Sequence, residues 1–358
     1  MVGVALLGAG IFAKEEHLPA ILAAQKSGLG TLKAVYSRSQ SSAEKLITEH
    51  NLQGVEAYFD SPQSEGKSLH ELLSRADIDA VIVALPILNQ GKVIEEALKA
   101  GKHVLSEKPI AQDVAAAKAL LNFYESELSA AKKPIWAVAE NFRFYKSLDF
   151  AQNKVAELGG KVKTFKLEMY GFIQDENKYY NTEWRKVPDY QGGFLLDGGV
   201  HFVAALRTML GAAGTKIDKV VAFSNLLVEN LKPTDTVHAV ALTDEQIAGT
   251  IIMTFGTEFK AGLSVEVTTE NGTVVWTPRD VRVQGVKDGQ KVDITEEFER
   301  ESGVKTEVRA FLEAVKRNDG TFDQKQSPRE ALGDLQVVQA LLQSGDKARA
   351  ASQFVSIE

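Results

Sequence analysis

Short apolar runs alternate with helical patterns over the first 140 residues. The runs predict strands at Val2–Leu7, 31–39, Glu56–Phe59, 79–85, 103–106 and 134–139. They lack the apolar and polar alternation of a strand with one wet face, so they are typical of parallel strands buried on both faces. Helices are predicted between them, at 15–25 and from "SSAEKL", where Ser41 or Ser42 is the expected N-cap. This alternation predicts a doubly wound parallel sheet, a Rossmann fold.

The pattern changes after Lys146, where "FKLEMY" alternates as a strand with one apolar face does. Asn271-Gly272 and Asp288-Gly289 lie between further strand patterns and predict hairpins. Helices are expected at 304–317 and at 328–343, the second with Ser327 as N-cap. We therefore predict two domains, an NAD(P)-binding domain at 1–140 and a mostly antiparallel open-sheet α/β domain at 141–358. We expect helices to cover one face of this sheet. The other face must be buried in some other way, and we therefore predict a homodimer or higher homo-oligomer that forms through the sheet.

Composition narrows the class of protein. The chain has 358 residues and a net charge of -7, which argues against a nucleic-acid partner. It has no cysteine and six scattered histidines, so no metal site is expected. The longest apolar run, "AVIVALPIL" at 80–88, is too short to cross a bilayer, so no membrane is expected. Because no targeting pattern is found, the expected location is cytoplasmic.

A glycine-rich turn follows the first strand. In "GAGIFA", Gly8 permits a tight turn, Gly10 lets a diphosphate approach the backbone, and Ala13 allows the helix to pack on the strand. Ile11 and Phe12 complete the predicted cofactor loop at a helix N-terminus, where phosphates bind. The alternative is a purely structural turn. The strand before it and the helix after it favour a dinucleotide site.

The end of the second strand bears on which dinucleotide binds. NAD-binding forms place a carboxylate there for the ribose 2′-hydroxyl, whereas this strand ends in "VYSRS" with no acid. Ser37 and Arg38 can bind a 2′-phosphate, which favours NADP(H) over NAD(H). The alternative is that Arg38 is an ordinary surface arginine.

Two charged pairs are the candidates for chemistry. Glu107 and Lys108 end the fifth strand, at the edge of the sheet where ligands bind; alternatively they are a solvated pair stopped by Pro109. Asp197 and His201 are four residues apart on a predicted helix, so the carboxylate can orient a general base. The alternative there is a helix-capping Asp and a histidine with a purely structural role.

Together the motifs "GAGIFA", "AGKHVLSEKPIA", "AENFRF" and "GGFLLDGGVH" resemble the Gfo/Idh/MocA oxidoreductase family. Details such as "FAKEEHLP" look like its fungal NADP-dependent branch. The resemblance implies a catalytic trio of Lys108, Asp197 and His201, a cis Lys108–Pro109 bond, and Glu107 holding the nicotinamide ribose.

The resemblance also implies further cofactor contacts. Asn141 and Arg143 would line the cleft, and Trp184 with Arg185 would cover it from the second domain. After the fourth strand the family often has T-P-N-x-x-H, whereas this chain has "LPILNQ". Of that stretch, Leu85, Pro86 and Asn89 are expected at the cofactor, and Asn89 and Gln90 can bond to its ribose or amide.

The expected function is NADP(H)-dependent hydride transfer to or from a sugar, polyol or small carbonyl compound. Tyr145, Tyr170, Phe172, Tyr179, Tyr180 and Trp184 are the aromatic residues of a possible substrate pocket. One alternative is a non-catalytic cofactor- or sugar-sensing regulator on the same fold. Another is a hydrolase or lyase that oxidises its substrate transiently and regenerates its cofactor.

Overall fold

The structure, a computed structural model, describes residues 1–61, 66–128, 133–174 and 176–350. The chain forms two compact units. The first combines Met1–Asn141 with Ser302–Leu332, and the second combines Phe142–Glu301 with the segment from Gly333 onward.

The strands, in chain order, are β1 Val2–Leu7, β2 Gly30–Ser37, β3 Glu56–Phe59, β4 Ala80–Val83, β5 His103–Glu107, β6 Trp136–Ala139, β7 Val162–Tyr170, β8 Ile217–Asn225, β9 Thr236–Thr243, β10 Ala248–Thr254, β11 Gly262–Thr269, β12 Gly272–Trp276, β13 Asp280–Lys287 and β14 Gln290–Glu297. The α-helices are α1 Leu18–Lys26, α2 Gln40–Glu49, α3 Leu69–Leu73, α4 Ile87–Lys99, α5 Val114–Asn122, α6 Lys146–Leu158, α7 Glu183–Lys186, α8 Gly193–Ala212, α9 Val304–Arg317 and α10 Pro328–Ala350.

The first unit contains a six-stranded parallel sheet in the order β3-β2-β1-β4-β5-β6, which confirms the predicted Rossmann fold. Strand β1 is buried along its whole length. Helix α9 packs on α1, and its Val308, Phe311 and Leu312 belong to this unit's core. The domain division made from sequence puts that helix with residues 141–358, whereas in the structure the segment Ser302–Leu332 belongs to the compact unit of the N-terminal residues.

Two local predictions in the first unit need correction. The N-cap of α2 is Ser39, whose hydroxyl accepts a hydrogen bond from the Ser42 amide, and neither Ser41 nor Ser42 caps the helix. Serine is frequent in this stretch, so composition alone could not choose between neighbours. The helix predicted at 15–25 begins instead as a single π-helical turn, Ala13–His17, before α1.

The second unit contains an eight-stranded sheet in the order β14-β13-β12-β11-β7-β10-β9-β8. Only the β7–β10 pair is parallel, so the predicted mostly antiparallel sheet is confirmed. Asp288 and Gly289 both have positive φ and form the predicted two-residue hairpin turn. The other hairpin turns one residue earlier than expected, at Glu270-Asn271, because Gly272 already pairs within β12.

Helix α8 carries much of the core of the second unit. Within the described residues it is the single helix long and apolar enough to cross a membrane, but 72% of the relevant window is buried inside the protein. A core helix passes the same test of length and composition. Gly198 gives α8 a close contact, because an added Cβ would lie 2.9 Å from the Phe255 ring.

Candidate active site and nucleotide site

The glycine turn after β1 is shaped by contacts with its neighbours. Gly8 has φ +131°, and a Cβ there would lie 2.2 Å from the Ala84 carbonyl oxygen. Gly10 differs, because an added Cβ would meet nothing within 4 Å. Packing therefore explains Gly8 but not Gly10, which supports the predicted role of Gly10 in close ligand approach. Ala13 is buried against the core, as a helix packed tightly on a strand requires.

A cleft of about 410 Å³ lies beside the carboxyl ends of β2 and β4. Its lining residues are Tyr36, Arg38, Asp60, Leu69, Leu85, Leu88, Asn89, Lys92, Val93 and Glu96. The cations are Arg38, which is exposed, and Lys92, which the sequence reasoning missed. Ser37 is half-buried at the end of β2, immediately before Arg38.

Asp60 in this cleft is already engaged by the protein. It accepts a hydrogen bond from the Tyr36 hydroxyl at 2.7 Å and another from the Leu69 amide at 3.1 Å. Burial and this carboxylate both raise the pKa of the Tyr36 phenol. Because β3 and not β2 supplies this acid, the usual position for a ribose-binding carboxylate carries Ser37 and Arg38 instead.

The stretch after β4 leads directly into α4. Pro86 precedes α4, and its carbonyl accepts a hydrogen bond from the Asn89 amide at 2.8 Å. Asn89 faces the cleft, as does Leu85. Gln90 is fully buried, and neither end of its side-chain amide has a hydrogen-bond partner in the described part of the chain. Asn89 is therefore better placed than Gln90 to contact a ligand.

The carboxylate at the end of β5 contacts a histidine from the turn that precedes α1. Glu107 Oε1 lies 2.7 Å from Nε2 of His17, and Glu107 Oε2 accepts the Lys108 amide at 3.1 Å. The Lys108–Pro109 bond is cis, which confirms that expectation. Asn141 donates to the Ser302 carbonyl at 2.5 Å and is buried in the same unit.

In the second unit, Asp197 is tied to Arg185. Arg185 Nε donates to Asp197 Oδ2 at 2.8 Å, and the carboxylate is almost fully buried. The guanidinium lies 3.9 Å from the centre of the Trp184 ring, a cation–π contact. Tyr190 is buried beside this pair, and its pKa is raised by burial and by the Asp197 charge. Trp184, Arg185, Tyr190 and Asp197 therefore form one cluster, of which Tyr190 was not predicted.

His201 lies one turn after Asp197 on α8, so the predicted shared helix is observed. Its ring stacks on Phe142 with centroids 4.6 Å apart and an interplanar angle of 14°. His201 is half-buried, so part of the imidazole reaches the surface of this unit. The stack restricts the ring's orientation, which a residue that transfers protons requires.

Arg143 is buried in the second unit. It is 5% exposed and forms an ion pair with Asp334 at 2.7 Å, and Asp334 also binds Arg207. The expected contact of Arg143 with the cofactor stays a prediction. The candidate aromatic residues have different contacts. Tyr180 donates a hydrogen bond to the Asn230 carbonyl, and the Lys260 ammonium lies over the Tyr170 ring. Tyr179 and Trp184 both contact the Arg185 guanidinium.

Comparisons with known proteins assign both parts of the chain to one family. Residues 2–129 match the oxidoreductase family model with an NAD-binding Rossmann fold, and residues 157–351 match its C-terminal alpha/beta domain. Dehydrogenase FPY6 of Fusarium mangiferae is 50% identical over 345 residues, covering 96% of each chain.

Solved structures give the same result for the fold. An oxidoreductase from Thermotoga maritima is 30% identical with a TM-score of 0.79, covering 96% of both chains. Levoglucosan dehydrogenase in complex with NADH has a TM-score of 0.79 at 17% identity, covering 97% of both chains, which shows the fold alone.

These observations define the class of protein, an oxidoreductase with an NAD(P)-binding Rossmann fold and a C-terminal α/β unit. More specifically, the chain belongs to the Gfo/Idh/MocA oxidoreductase family.

Proposed function

We propose that this protein is an NADP(H)-dependent oxidoreductase that transfers hydride between the nicotinamide and a sugar, polyol or small carbonyl compound. The observation that carries the proposal is the composition of one edge of the parallel sheet. The Gly8 turn follows β1, and the Glu107-Lys108 turn follows β5, so both face the carboxyl edge where such sheets bind nucleotides. A dinucleotide bound along this edge would place its diphosphate at the Gly8 turn and its nicotinamide near Glu107 and Lys108.

The preference for NADP(H) is supported by charge at the adenosine end. Arg38 and Lys92 line the cleft beside β2, and Ser37 adds a hydroxyl. A 2′-phosphate gains charge-assisted hydrogen bonds from such cations, whereas a 2′-hydroxyl needs an acceptor. The acids that line this cleft, Asp60 and Glu96, lie after β3 and in α4, so neither occupies the end of β2, where NAD-binding forms carry the ribose-binding carboxylate.

When bound, the nicotinamide would supply or accept hydride at its C4 atom. In the direction of oxidation, His201 takes the proton from the substrate hydroxyl, and in reduction it returns that proton to the new alkoxide. Lys108 stabilises the negative oxygen by charge and hydrogen bonding. Asp197 lies in α8, as His201 does. Its ion pair with Arg185 holds the Arg185 guanidinium beside the Trp184 ring.

A homo-oligomer through the open sheet is part of the proposal. Val221 and Val240 are cross-strand neighbours on β8 and β9, and Phe223 lies two residues further along the same face. These side chains are 64%, 51% and 47% exposed respectively, an apolar area that a second copy of the chain would bury.

The test is turnover by Lys108→Ala and His201→Ala with NADPH and a panel of ketoses, aldoses and simple carbonyls. Each variant is expected to lose about a hundredfold or more of kcat, the usual effect of losing an acid–base or oxyanion-stabilising group. Lys118→Ala and His70→Ala are matched controls, because both residues are exposed. Near-native rates in both active-site variants would refute the assigned roles, and a wild-type protein that binds NADPH but turns over no substrate would favour a sensor.

A further inference from the structure

His17 is a polar residue that the fold buries completely. Its side chain is fully buried within the π-helical turn Ala13–His17, among the apolar residues that line α1. Only its Nε2 atom has a partner, Glu107, while Nδ1 has none among the described residues. Burying a polar atom without a hydrogen-bond partner lowers the stability of the fold, so an apolar side chain at this position would be more stabilising.

Glu107 lies between this ring and the edge of the sheet. Its carboxylate is 11% exposed, whereas the imidazole behind it is not exposed at all. One oxygen binds His17, and the other accepts the backbone N–H of Lys108. A carboxylate has about four acceptor positions, so both oxygens keep capacity for a ribose hydroxyl.

Glu107 is one of three carboxylates whose charges act on a fourth, Glu307. Glu16 accepts the Ser302 hydroxyl at 2.7 Å, Glu140 follows β6 and is buried, and Glu307 lies fully buried in the first turn of α9. Burial raises the pKa of Glu307 well above its usual value, and the charges of Glu107, Glu140 and Glu16 add to the effect. The Nε2 atom of His17, 2.7 Å from Glu107 Oε1, belongs to a neighbouring group that can donate a hydrogen bond to the Glu107 carboxylate.

We propose that His17 is a positioning residue: its Nε2–H holds the Glu107 carboxylate at the end of β5, in the orientation that binds the nicotinamide ribose. The inference rests on the proposed function, because Glu107 must contact the nucleotide. The π-helical turn has a role here, since it directs His17 inward immediately after the glycine loop, and such turns are frequent at functional sites. Phe12 meets the ring edge-on, with centroids 5.3 Å apart, and restricts its rotation.

The experiment is a double-mutant cycle on NADPH affinity, measured by nicotinamide fluorescence. His17→Leu removes the donor and should weaken binding by about tenfold or more, whereas His17→Gln keeps an amide donor and should recover most of the loss. In a Glu107→Gln background, His17→Leu should have no further effect, because it acts through that carboxylate. His70→Leu, on the exposed face of α3, is the control and should leave the affinity unchanged.

Additive effects of His17→Leu and Glu107→Gln, or unchanged affinity in His17→Leu, would overturn the proposal. If His17→Leu does not fold, the imidazole nitrogens of the wild-type apoprotein decide, by ¹⁵N spectra of histidine-labelled protein assigned with His17→Gln. The proposal requires a proton on Nε2 of His17, and a proton on Nδ1 alone would overturn it. Failure of the proposed function has a different signature, namely intact NADPH binding and intact coupling without hydride transfer to any carbonyl.

Discussion

Replacing the buried Glu307 with glutamine should change how the stability of the protein depends on pH. In the folded protein its carboxyl has no hydrogen-bond partner among the described residues, and burial and three neighbouring acids raise its pKa well above the usual value. The unfolded chain ionises the same group near pH 4.3. Glutamine resembles the neutral acid in shape but cannot ionise.

Proton linkage gives the sign and the size of this change in the pH dependence of the free energy of unfolding. Because the folded-state pKa is raised, folding takes up a proton, so the wild-type free energy of unfolding falls as pH rises above about 4.3 and levels off above the folded-state pKa. Inside that window the slope is about 1.4 kcal/mol per pH unit for one group. The acids whose charges act on Glu307 are Glu16 from the π-helical turn, Glu107 at the end of β5 and Glu140 after β6. They are present in both proteins, so their own contributions largely cancel.

The assay is urea unfolding of wild type and Glu307→Gln across a pH series, followed by tryptophan fluorescence. The stability advantage of the glutamine variant should grow as the pH rises above about 4.3, with a slope of about 1.4 kcal/mol per pH unit until the pH approaches the folded-state pKa of Glu307. Glu299→Gln, an exposed position, is the matched control and should run parallel to wild type. Parallel curves for Glu307→Gln and wild type would refute the conclusion that Glu307 is neutral when folded.

Three other substitutions test separate parts of the account. Gly8→Ala places a Cβ 2.2 Å from the Ala84 oxygen at φ +131°, so the free energy of unfolding should fall by about 2 kcal/mol or more in a denaturant titration. Arg38→Ala should weaken NADPH binding by about tenfold or more and leave NADH nearly unchanged in parallel titrations; equal losses would contradict the 2′-phosphate role. Val240→Asp should lower the molar mass measured by light scattering, because it buries a charge in the proposed sheet interface; an unchanged mass would exclude that interface.

The elements were predictable where the sequence signal is local. The bounds of β1, β3 and α9 follow from apolar runs and helical spacing, and they agree with the structure at both ends. Asp288-Gly289 has the positive φ values that its residue types favour. Where neighbouring residues were equally suitable, as with the serines before α2, the local signal could not choose.

The surroundings of the candidate site were less predictable, because they depend on residues far apart in sequence. His17 and Glu307 are polar residues that the sequence analysis did not single out, and the fold buries both. The environment of Glu307 is created where α9 meets the π-helical turn and strands β5 and β6. Arg143 is a further example, since its ion-pair partner Asp334 lies 191 residues later in the chain.

Transfer of deuterium from the C4 position of labelled NADPH is the most direct test of the proposed activity. Purified protein would be incubated with each C4-deuterated stereoisomer of NADPH and a panel of keto sugars and simple carbonyls, and the products analysed by mass spectrometry. The account predicts that one stereoisomer delivers deuterium to the former carbonyl carbon, and that Lys108→Ala and His201→Ala deliver far less. Product formed without deuterium from either stereoisomer, or no nucleotide oxidation with any carbonyl, would contradict it.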